Sequence, residues 1–449
     1  MWTLSVIKAM RLIRSRKNWT REQILAHQRE RFHELLAAVW SRSPFYRDYY
    51  RDHGITEAQL PEITPDDLPV INKEILMENF DRVSEDPRLR RDKIEAWIHS
   101  DAPPGAYAKD YVVVHTSGTG GAIGIFVYDQ TGWTRFRAVA AVRSNMKVRY
   151  NPFRKNRFAF YGAAHGRFAG VTSAHTAPRL LTDSLICSVL DPIAKTIGEL
   201  NRFQPEHLLG YPSALKDLAT RALAGELTIR PHQVFTAGEV LTQANAELIE
   251  KAFGLKPVNA YAASESLSIA LQRQAGPGLS LMEDENVLEI LDREDCPVAP
   301  GQSGRVVLTN LSNLAIPIVR YDMRDIVTRG HREEGEQFEP INSVDGRVND
   351  ALPVRGADGN EDTIHPVVLS EFFVPGIQKF QFIGHSPEDI SIHYMAAATM
   401  DREVGEAFQK ILDLKNASSK VRVTVKQLAA LPVDEKTGKF RLVILGQPA

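Results

Sequence analysis

The residues with the clearest chemical potential form a loop rich in glycine and hydroxyl side chains. Segment 111–129 reads Y-V-V-V-H-T-S-G-T-G-G-A-I-G-I-F-V-Y-D, so two apolar β-branched runs flank the loop and predict strand, loop and strand. Backbone N–H groups freed by glycine and hydroxyl donors could hold a polyanion such as a triphosphate; the residues concerned are Thr116, Ser117, Gly118, Thr119, Gly120 and Gly121. Taken alone, a loop of this composition is more often an ordinary hairpin, and no lysine follows the glycines as in a P-loop NTPase.

Composition bounds the class of protein. The chain has 449 residues, 43% of them hydrophobic, with 54 Lys and Arg against 56 Asp and Glu, which predicts a soluble globular protein with more than one core and gives no reason to expect nucleic acid as a partner. Cys187 and Cys296 are its only cysteines, so a disulfide framework is excluded and a reducing, cytoplasmic setting is expected. Five basic residues interrupt segment 1–17, so we expect neither a signal peptide nor a membrane span there, and we interpret the basic start as a solvated face rather than a membrane contact.

The loop sequence T-S-G-T-G-G resembles the S-S-G-T-T-G-x-P loop of adenylate-forming enzymes, the superfamily of acyl- and aryl-CoA ligases, luciferases and peptide-synthetase adenylation domains. Segments 43–55 and 68–80 resemble the N-terminal part of phenylacetate–CoA ligases and their CapK-like capsule-biosynthesis relatives, and we expect them to carry no chemistry of their own. Further matching segments follow in order along almost the whole chain.

Two of these segments imply contacts with nucleotide. V-F-T-A-G-E-V-L-T at 234–242 resembles a turn of aryl-CoA ligases that forms part of the nucleotide and acyl pocket, with Gly238 and Glu239 in it. V-N-A-Y-A-A-S-E-S at 258–266 is similar to Y-G-x-[ST]-E, which implies that Tyr261 lies against adenine, Ser264 meets phosphate and Glu265 holds the Mg²⁺ that bridges the ATP phosphates. One carboxylate is enough for a hard cation whose other ligands are phosphate oxygens.

The longest match is 306–327, which resembles the segment whose final aspartate accepts hydrogen bonds from both ribose hydroxyls, and Asp325 takes that place. An ionised carboxylate has two oxygens for two vicinal O–H groups. The family's R-T-G has become D-M-R at 322–324, which could reshape the turn. An ion pair of Asp325 with Arg320 or Arg324 remains an alternative.

Two segments near the C-terminus imply a mobile lid. S-V-D-G-R-V-N-D at 343–350 resembles the joint between a large domain and a small lid, which implies that Arg347 contacts ribose and phosphate and that Asn349 or Asp350 is the hinge. L-P-V-D-E-K-T-G-K-F-R-L-V at 431–443 resembles the superfamily's ending, in which Lys439 matches the catalytic lysine. Without that context, Lys439 is an ordinary surface charge.

Two tyrosines are candidates for the acid pocket. Tyr211, in H-L-L-G-Y-P-S-A, stands where similar enzymes carry an aromatic or His that gates the acid, although it could equally be a packing residue. Tyr161, at the end of a short buried strand, is assigned to the same pocket. His165 and Arg167, in the turn that follows, are left unassigned.

The resemblance implies an α/β fold: a large N-terminal domain of mixed sheets and helices over residues 1–348, and a small mobile α+β lid over 349–449. It also implies an AMP-forming acid–CoA ligase that uses ATP, Mg²⁺ and coenzyme A on a small carboxylic acid, aryl or arylacetic in type. A ligase that forms an amide or loads a carrier-protein thiol is an alternative, and so is a catalytically silent nucleotide-binding homologue, because Gly120, Ala262, Asp322 and Asn349 depart from the family pattern. A homodimer is left open.

Overall fold

The computed structural model describes residues 2–116, 123–149, 151, 153–274, 277–344, 352–364, 368–369, 372–432 and 442–446. Its helices are α1 Thr3–Ser15, α2 Arg21–Arg42, α3 Pro44–Asp52, α4 Lys73–Glu78, α5 Phe80–Val83, α6 Arg91–Ile98, α7 Gln130–Arg143, α8 Ala169–His175, α9 Ile193–Phe203, α10 Pro212–Leu223, α11 Gln243–Phe253 and α12 Asp401–Leu414.

The strands are β1 Ala106–Tyr107, β2 Tyr111–His115, β3 Ile125–Tyr128, β4 Asn156–Gly162, β5 Thr182–Ser188, β6 His207–Gly210, β7 Gln233–Ala237, β8 Val258–Tyr261, β9 Ala270–Gln272, β10 Leu279–Leu281, β11 Asn286–Leu291, β12 Ser303–Asn310, β13 Tyr321–Arg329, β14 Pro340–Val344, β15 Leu352–Arg355, β16 Glu361–Ile364, β17 Ile377–Ser386, β18 Asp389–Ala396, β19 Arg422–Gln427 and β20 Val443–Leu445. The predicted fold class, mixed α/β with a large multi-stranded sheet, is confirmed.

Eleven strands form the main sheet, in the order β11-β12-β13-β14-β10-β9-β8-β7-β6-β4-β5. Its last five strands, from β8 to β5, are parallel to one another. The carboxyl ends of parallel strands meet at one edge of a sheet, which is where α/β proteins commonly bind ligands. Residues that follow β4, β6, β7 and β8 therefore lie at the same edge.

Local sequence explains where several helices begin and end. Helix α2 starts at a capping box, in which the Gln23 N–H donates to Thr20 Oγ1 and the Thr20 N–H donates to Gln23 Oε1. Its buried apolar residues are Ile24, Phe32, Leu35, Leu36, Val39 and Trp40. Helix α10 has Pro212 in its first turn, where no N–H is needed, and α11 ends at Gly254, whose φ of 67° suits glycine.

The N-terminal helix is part of the fold. Val6, Met10 and Ile13 are buried and belong to one apolar cluster with Val139 of α7. Arg16 is only 2% exposed and pairs with Asp284 at 3.1 Å and Glu285 at 2.8 Å, so it is an exception to the solvated face expected for this basic start. No described helix is long and apolar enough to cross a membrane.

The C-terminal part has a four-stranded sheet, β19-β18-β17-β20, packed with α12, and the hairpin β15–β16. It touches the preceding part through Lys415, whose buried Nζ lies 2.9 Å from Asp362 Oδ1 and donates to the backbone oxygen of Asp191 at 3.2 Å. The predicted boundary at 348/349 falls in 345–351, outside the described residues, so the division into two domains stays a prediction.

Candidate active site

Roughly half of the predicted site residues lie in the described part of the chain. Thr116, Tyr161, Tyr211, Gly238, Glu239, Tyr261, Ser264, Glu265 and Asp325 are described. The others lie outside the described residues: Ser117, Gly118, Thr119, Gly120, Gly121, Arg347, Asn349, Asp350 and Lys439. Assignments on this second group stay predictions from the sequence.

Tyr261 and Asp325, predicted to bind the nucleoside, are in direct contact. The Tyr261 hydroxyl donates to Asp325 Oδ2 at 2.6 Å. Burial raises the pKa of Tyr261, and the negative charge of Asp325 raises it further, so the phenol stays neutral and remains a donor. A hydrogen bond to an ionised carboxylate is strong and fixes its direction. Tyr261 therefore orients the carboxylate that the sequence assigns to ribose.

The turn before Asp325 keeps a glycine-like backbone without glycine. Arg324 occupies the position of the family's glycine and has a φ of 59°, the left-handed conformation that glycine adopts without strain. Its N–H donates to Asp322 Oδ1 at 2.8 Å, and its guanidinium pairs with Glu74. The change from R-T-G to D-M-R thus preserves the turn. Arg324 pairs with Glu74 and Arg320 pairs with Glu289, and an ion pair of either arginine with Asp325 stays an alternative.

Glu265 lies close to several groups that shift the pKa of its carboxyl group. Burial raises the pKa of its carboxyl to about 7, and nearby Asp325 raises it too, whereas the Tyr321 hydroxyl, as a hydrogen-bond donor, and the Lys73 ammonium act in the opposite direction. The backbone oxygen of Glu265 accepts from Asn310 Nδ2 at 3.1 Å. The preceding residue, Ser264, is buried, and its backbone oxygen accepts from the Tyr128 hydroxyl at 2.8 Å. These bonds fix the turn that carries Ser264 and Glu265 to strands β3 and β12.

Lys73 is a site residue that the sequence did not reveal. A Cβ placed on Gly124, at the outgoing end of the glycine-rich loop, would lie 3.4 Å from Lys73 Cδ. The same lysine lowers the pKa of Glu265, so it lies within electrostatic reach of that carboxyl as well as near the outgoing end of the loop. Segment 68–80, which was expected to carry no chemistry of its own, therefore brings a cation close to a loop that lacks one.

Thr116 closes the neck of the loop. Its N–H donates to the backbone oxygen of Gly124 at 2.9 Å, and its Oγ1 accepts from the Gly124 N–H at 3.0 Å. The hydroxyl proton can still be donated, as the prediction for a phosphate contact requires. Before Thr116, the buried ring of His115 accepts from the Arg167 N–H through Nε2 at 3.1 Å. The guanidinium of Arg167 binds backbone oxygens of Trp97 and Ala102, which gives this residue a structural role.

The candidate acid pocket forms around Tyr211. An added Cβ at Gly162 or at Gly238 would come within 2.9 Å of the Tyr211 ring, and Gly238 also has a φ of 85°, so both positions require glycine. Phe160 stands edge-on to Tyr211, with ring centroids 6.2 Å apart. Phe160 and Tyr211 are both buried and pack as an aromatic pair over these glycines, a surrounding suited to an aromatic or apolar group.

Tyr161 and its neighbour Phe160 lie on opposite faces of β4, because side chains alternate along a strand. Tyr161 is fully buried and belongs to the same core cluster as Tyr211, whereas Phe160 meets the Tyr211 ring edge-on. The assignment of Tyr161 to the acid pocket stays a prediction, and Phe160 is a further aromatic residue beside Tyr211.

Glu239, predicted to contact nucleotide, forms hydrogen bonds within the protein, to Ser213. Its Oε2 accepts from the Ser213 N–H and its Oε1 from the Ser213 hydroxyl, each at 3.0 Å. A carboxylate at a helix N-terminus accepts hydrogen bonds from the free N–H groups, and its negative charge interacts favourably with the helix dipole. Glu239 therefore ties the turn after β7 to the start of α10 and holds Tyr211 in place.

The described carboxylates could hold Mg²⁺ only if phosphate oxygens supplied the remaining ligands. Among the described residues, no group of three or more His, Cys, Asp or Glu side chains could hold a metal. Mg²⁺ in nucleotide sites takes one or two carboxylates and completes its shell with phosphate oxygens and water. Glu265, with Asp325 close enough to raise its pKa, meets that requirement.

The fold is that of adenylate-forming CoA ligases. Its solved neighbours include 2-hydroxyisobutyryl-CoA ligase in complex with 2-HIB-AMP and CoA, with a TM-score of 0.60 and 19% identity over 94% of this chain and 90% of that one. The same ligase in a postadenylation state gives a TM-score of 0.58 and 19% identity over 96% of this chain and 91% of that one. At this identity the likeness concerns the fold, and it confirms the predicted fold class.

Sequence relatives are more specific. The chain is 26% identical over 365 residues to phenylacetate–coenzyme A ligase of Pseudomonas putida, covering 76% of this chain and 75% of that protein. It is 21% identical over 406 residues to protein CapK of Staphylococcus aureus, covering 84% and 79%. No protein-family model matches. These relatives confirm the predicted resemblance to the phenylacetate–CoA ligase and CapK-like branch.

Proposed function

We propose that this protein activates a small carboxylic acid with ATP to an acyl-adenylate and then transfers the acyl group to coenzyme A. The observation that carries the proposal is the hydrogen bond of Tyr261 to Asp325, close to Glu265. The sequence resemblance assigns adenine, ribose and Mg²⁺ contacts to these three residues, and their proximity supports the proposal.

The first half-reaction joins two anions. A substrate carboxylate oxygen attacks the α-phosphorus of ATP, the bond to the bridging oxygen breaks, and pyrophosphate leaves. Preorganised positive charge and N–H groups stabilise the charge that concentrates in such a transition state. We assign this task to the loop, to Lys73 at its outgoing end and to Lys439. Mg²⁺, when bound, would add Lewis-acid stabilisation of the phosphate charge, with Glu265 holding it.

The second half-reaction breaks the new mixed anhydride. A thiol attacks the acyl carbonyl carbon, its proton is released, and AMP leaves with the electron pair. We propose that the C-terminal part then rotates about 349–350 and withdraws Lys439, as similar enzymes do. We also propose an aryl or arylacetic acid as the substrate, because the aromatic pair of Phe160 and Tyr211 lies beside the turn that contains Gly238.

The test is pyrophosphate release over a panel of aryl, arylacetic and fatty acids, with thioester formation measured in parallel with and without coenzyme A. Glu265→Gln should abolish acid-dependent pyrophosphate release, whereas the matched change at an exposed glutamate, Glu294→Gln, should not alter it. Adenylate without thioester, followed by amide when an amine is added, would establish an amide-forming ligase. Absence of acid-dependent pyrophosphate release across the panel would refute the proposal and leave a silent nucleotide-binding protein.

A further inference from the structure

A surface of unusual composition lies at the end of the main sheet opposite the candidate site. Strands β4 and β5 are parallel neighbours that pair from Asn156 and Thr182 onward, so the loops that enter them lie side by side. The Asn156 N–H and Nδ2 both donate to the backbone oxygen of Leu181 at 2.8 Å, which joins the two loops. We use the name basic edge for six exposed residues of these loops and of the start of β4. They are Phe153, Arg154, Lys155, Arg157, Arg179 and Leu180.

The apolar members of the basic edge are almost fully in water. Phe153 is 97% exposed and Leu180 is 63% exposed. Single exposed apolar residues are common on protein surfaces, so these two matter only because of what surrounds them. They project at the tips of two adjoining loops and do not form a groove that a folded partner would fill.

The charged members give the basic edge one sign. Within the described part of the two loops, residues 151, 153–157 and 179–183, four exposed cations face a single carboxylate, Asp183, which is the strand partner of Arg157. The nearby Glu206 pairs with Arg149, and it also accepts from the Arg157 N–H at 3.1 Å and interacts with the charge of Arg157, which lowers its pKa. None of the four cations forms an ion pair with another described residue. The net charge of the whole chain is −2, so this cluster is a local asymmetry.

We propose that the basic edge docks on an anionic lipid bilayer, with Phe153 and Leu180 inserted at the headgroup level and the four cations against lipid phosphates and carboxylates. Aromatic and aliphatic side chains ringed by Lys and Arg are the pattern that peripheral membrane proteins use. β4 has seven residues, so the candidate site lies roughly 20 Å away at the other end of the sheet and stays open to water. The N-terminal helix is a poorer anchor, since its apolar face is buried against α7.

The experiment is vesicle co-sedimentation of the full-length protein on phosphatidylcholine with and without about 30% phosphatidylserine, at low and high salt. Binding is expected only with phosphatidylserine and should weaken in high salt. Arg154→Ser and Lys155→Ser should each lower binding about fivefold, and Phe153→Ser about tenfold or more. Matched controls in the C-terminal part, Phe373→Ser for the exposed ring and Arg402→Ser with Lys410→Ser for charge, should bind as the wild type does.

Several outcomes would overturn the proposal. One is absence of phosphatidylserine-dependent binding, and another is equal loss in the control variants. A third is binding that depends on the cations but not on Phe153 and is matched on beads coated with an acidic polypeptide, which would make the basic edge a docking surface for an acidic protein. Because all substituted side chains are exposed, unchanged thermal unfolding and unchanged pyrophosphate release should accompany each variant.

Discussion

A double-mutant cycle on Tyr261 and Asp325 examines the centre of the candidate site. The 2.6 Å hydrogen bond joins a neutral phenol to an ionised carboxylate, a class of bond that contributes about 1.5–3 kcal/mol. Tyr261→Phe keeps the ring that is predicted to lie against adenine and removes only the hydroxyl. We expect it to weaken ATP binding by about 1–2 kcal/mol, because Asp325 loses its orientation. Asp325→Ala should cost about 2–4 kcal/mol, since two hydrogen bonds to ribose disappear.

The two losses should not add. If the hydroxyl acts through Asp325, then Tyr261→Phe should have almost no effect in the Asp325→Ala background, a coupling on the order of 1 kcal/mol. Calorimetric titration with a non-hydrolysable ATP analogue measures all four corners, and Tyr107→Phe, which removes a hydroxyl bound to Arg88 O at 2.7 Å, is the matched control. Strict additivity would show that the hydroxyl acts independently of Asp325. Unchanged affinity in a folded Asp325→Ala protein would refute the ribose assignment.

Three further predictions concern charge. Lys439→Ala should slow adenylate formation by roughly 10²–10³, while single-turnover conversion of supplied acyl-adenylate to thioester stays near the wild-type rate; equal loss in both half-reactions would contradict rotation of the lid. Lys73→Ala should weaken ATP binding roughly tenfold and AMP binding much less, as measured by titration, because its charge faces the phosphate loop; equal losses would contradict that role. Burial raises the pKa of Asp217 to about 6 from 3.8, so this group's contribution to stability is present at low pH and is lost as pH rises from about 4 to about 6. Asp217→Asn should therefore be more stable than the wild type at pH 8, by on the order of 1–3 kcal/mol in denaturant unfolding, with the difference shrinking toward pH 4; a constant difference would disprove it.

Local patterns predicted much of the fold correctly. The two strands predicted around the glycine-rich segment occur as β2 and β3. Hydrophobic periodicity predicts helices from Arg21 to about Trp40 and from Arg402 to Leu414, and these occur as α2 Arg21–Arg42 and α12 Asp401–Leu414. It also predicts a helix over 133–148, which forms as α7 Gln130–Arg143 and starts earlier because Asp129 caps it through the Gly132 N–H. Boundaries of this kind depend on caps that a periodicity argument does not weigh.

The resemblance predicted residue types better than side-chain directions. Tyr161 and Phe160 are adjacent aromatic residues on one strand, and a sequence comparison gives no reason to prefer either for the acid pocket. The pleat puts these neighbours on opposite faces of the strand, and the structure shows that Phe160 is the one whose ring meets Tyr211 edge-on. In a strand with two buried faces both positions are apolar, so no alternation reveals the answer.

Lys73 shows most clearly what the sequence could not supply. It lies far from the glycine-rich loop along the chain, and a lysine at the start of a short helix is ordinarily a solvated charge. Its position depends on a backbone bridge, in which the Ile71 N–H donates to Arg320 O at 3.0 Å and the Asp322 N–H donates to Ile71 O at 2.8 Å. Asn72 then caps α4 by accepting from the Ile75 N–H at 2.9 Å, so Lys73 begins the helix directly beside the loop. The loop has no cation of its own, and the fold brings Lys73 to it from this N-terminal segment. The same backbone bridge anchors the turn that holds Asp325.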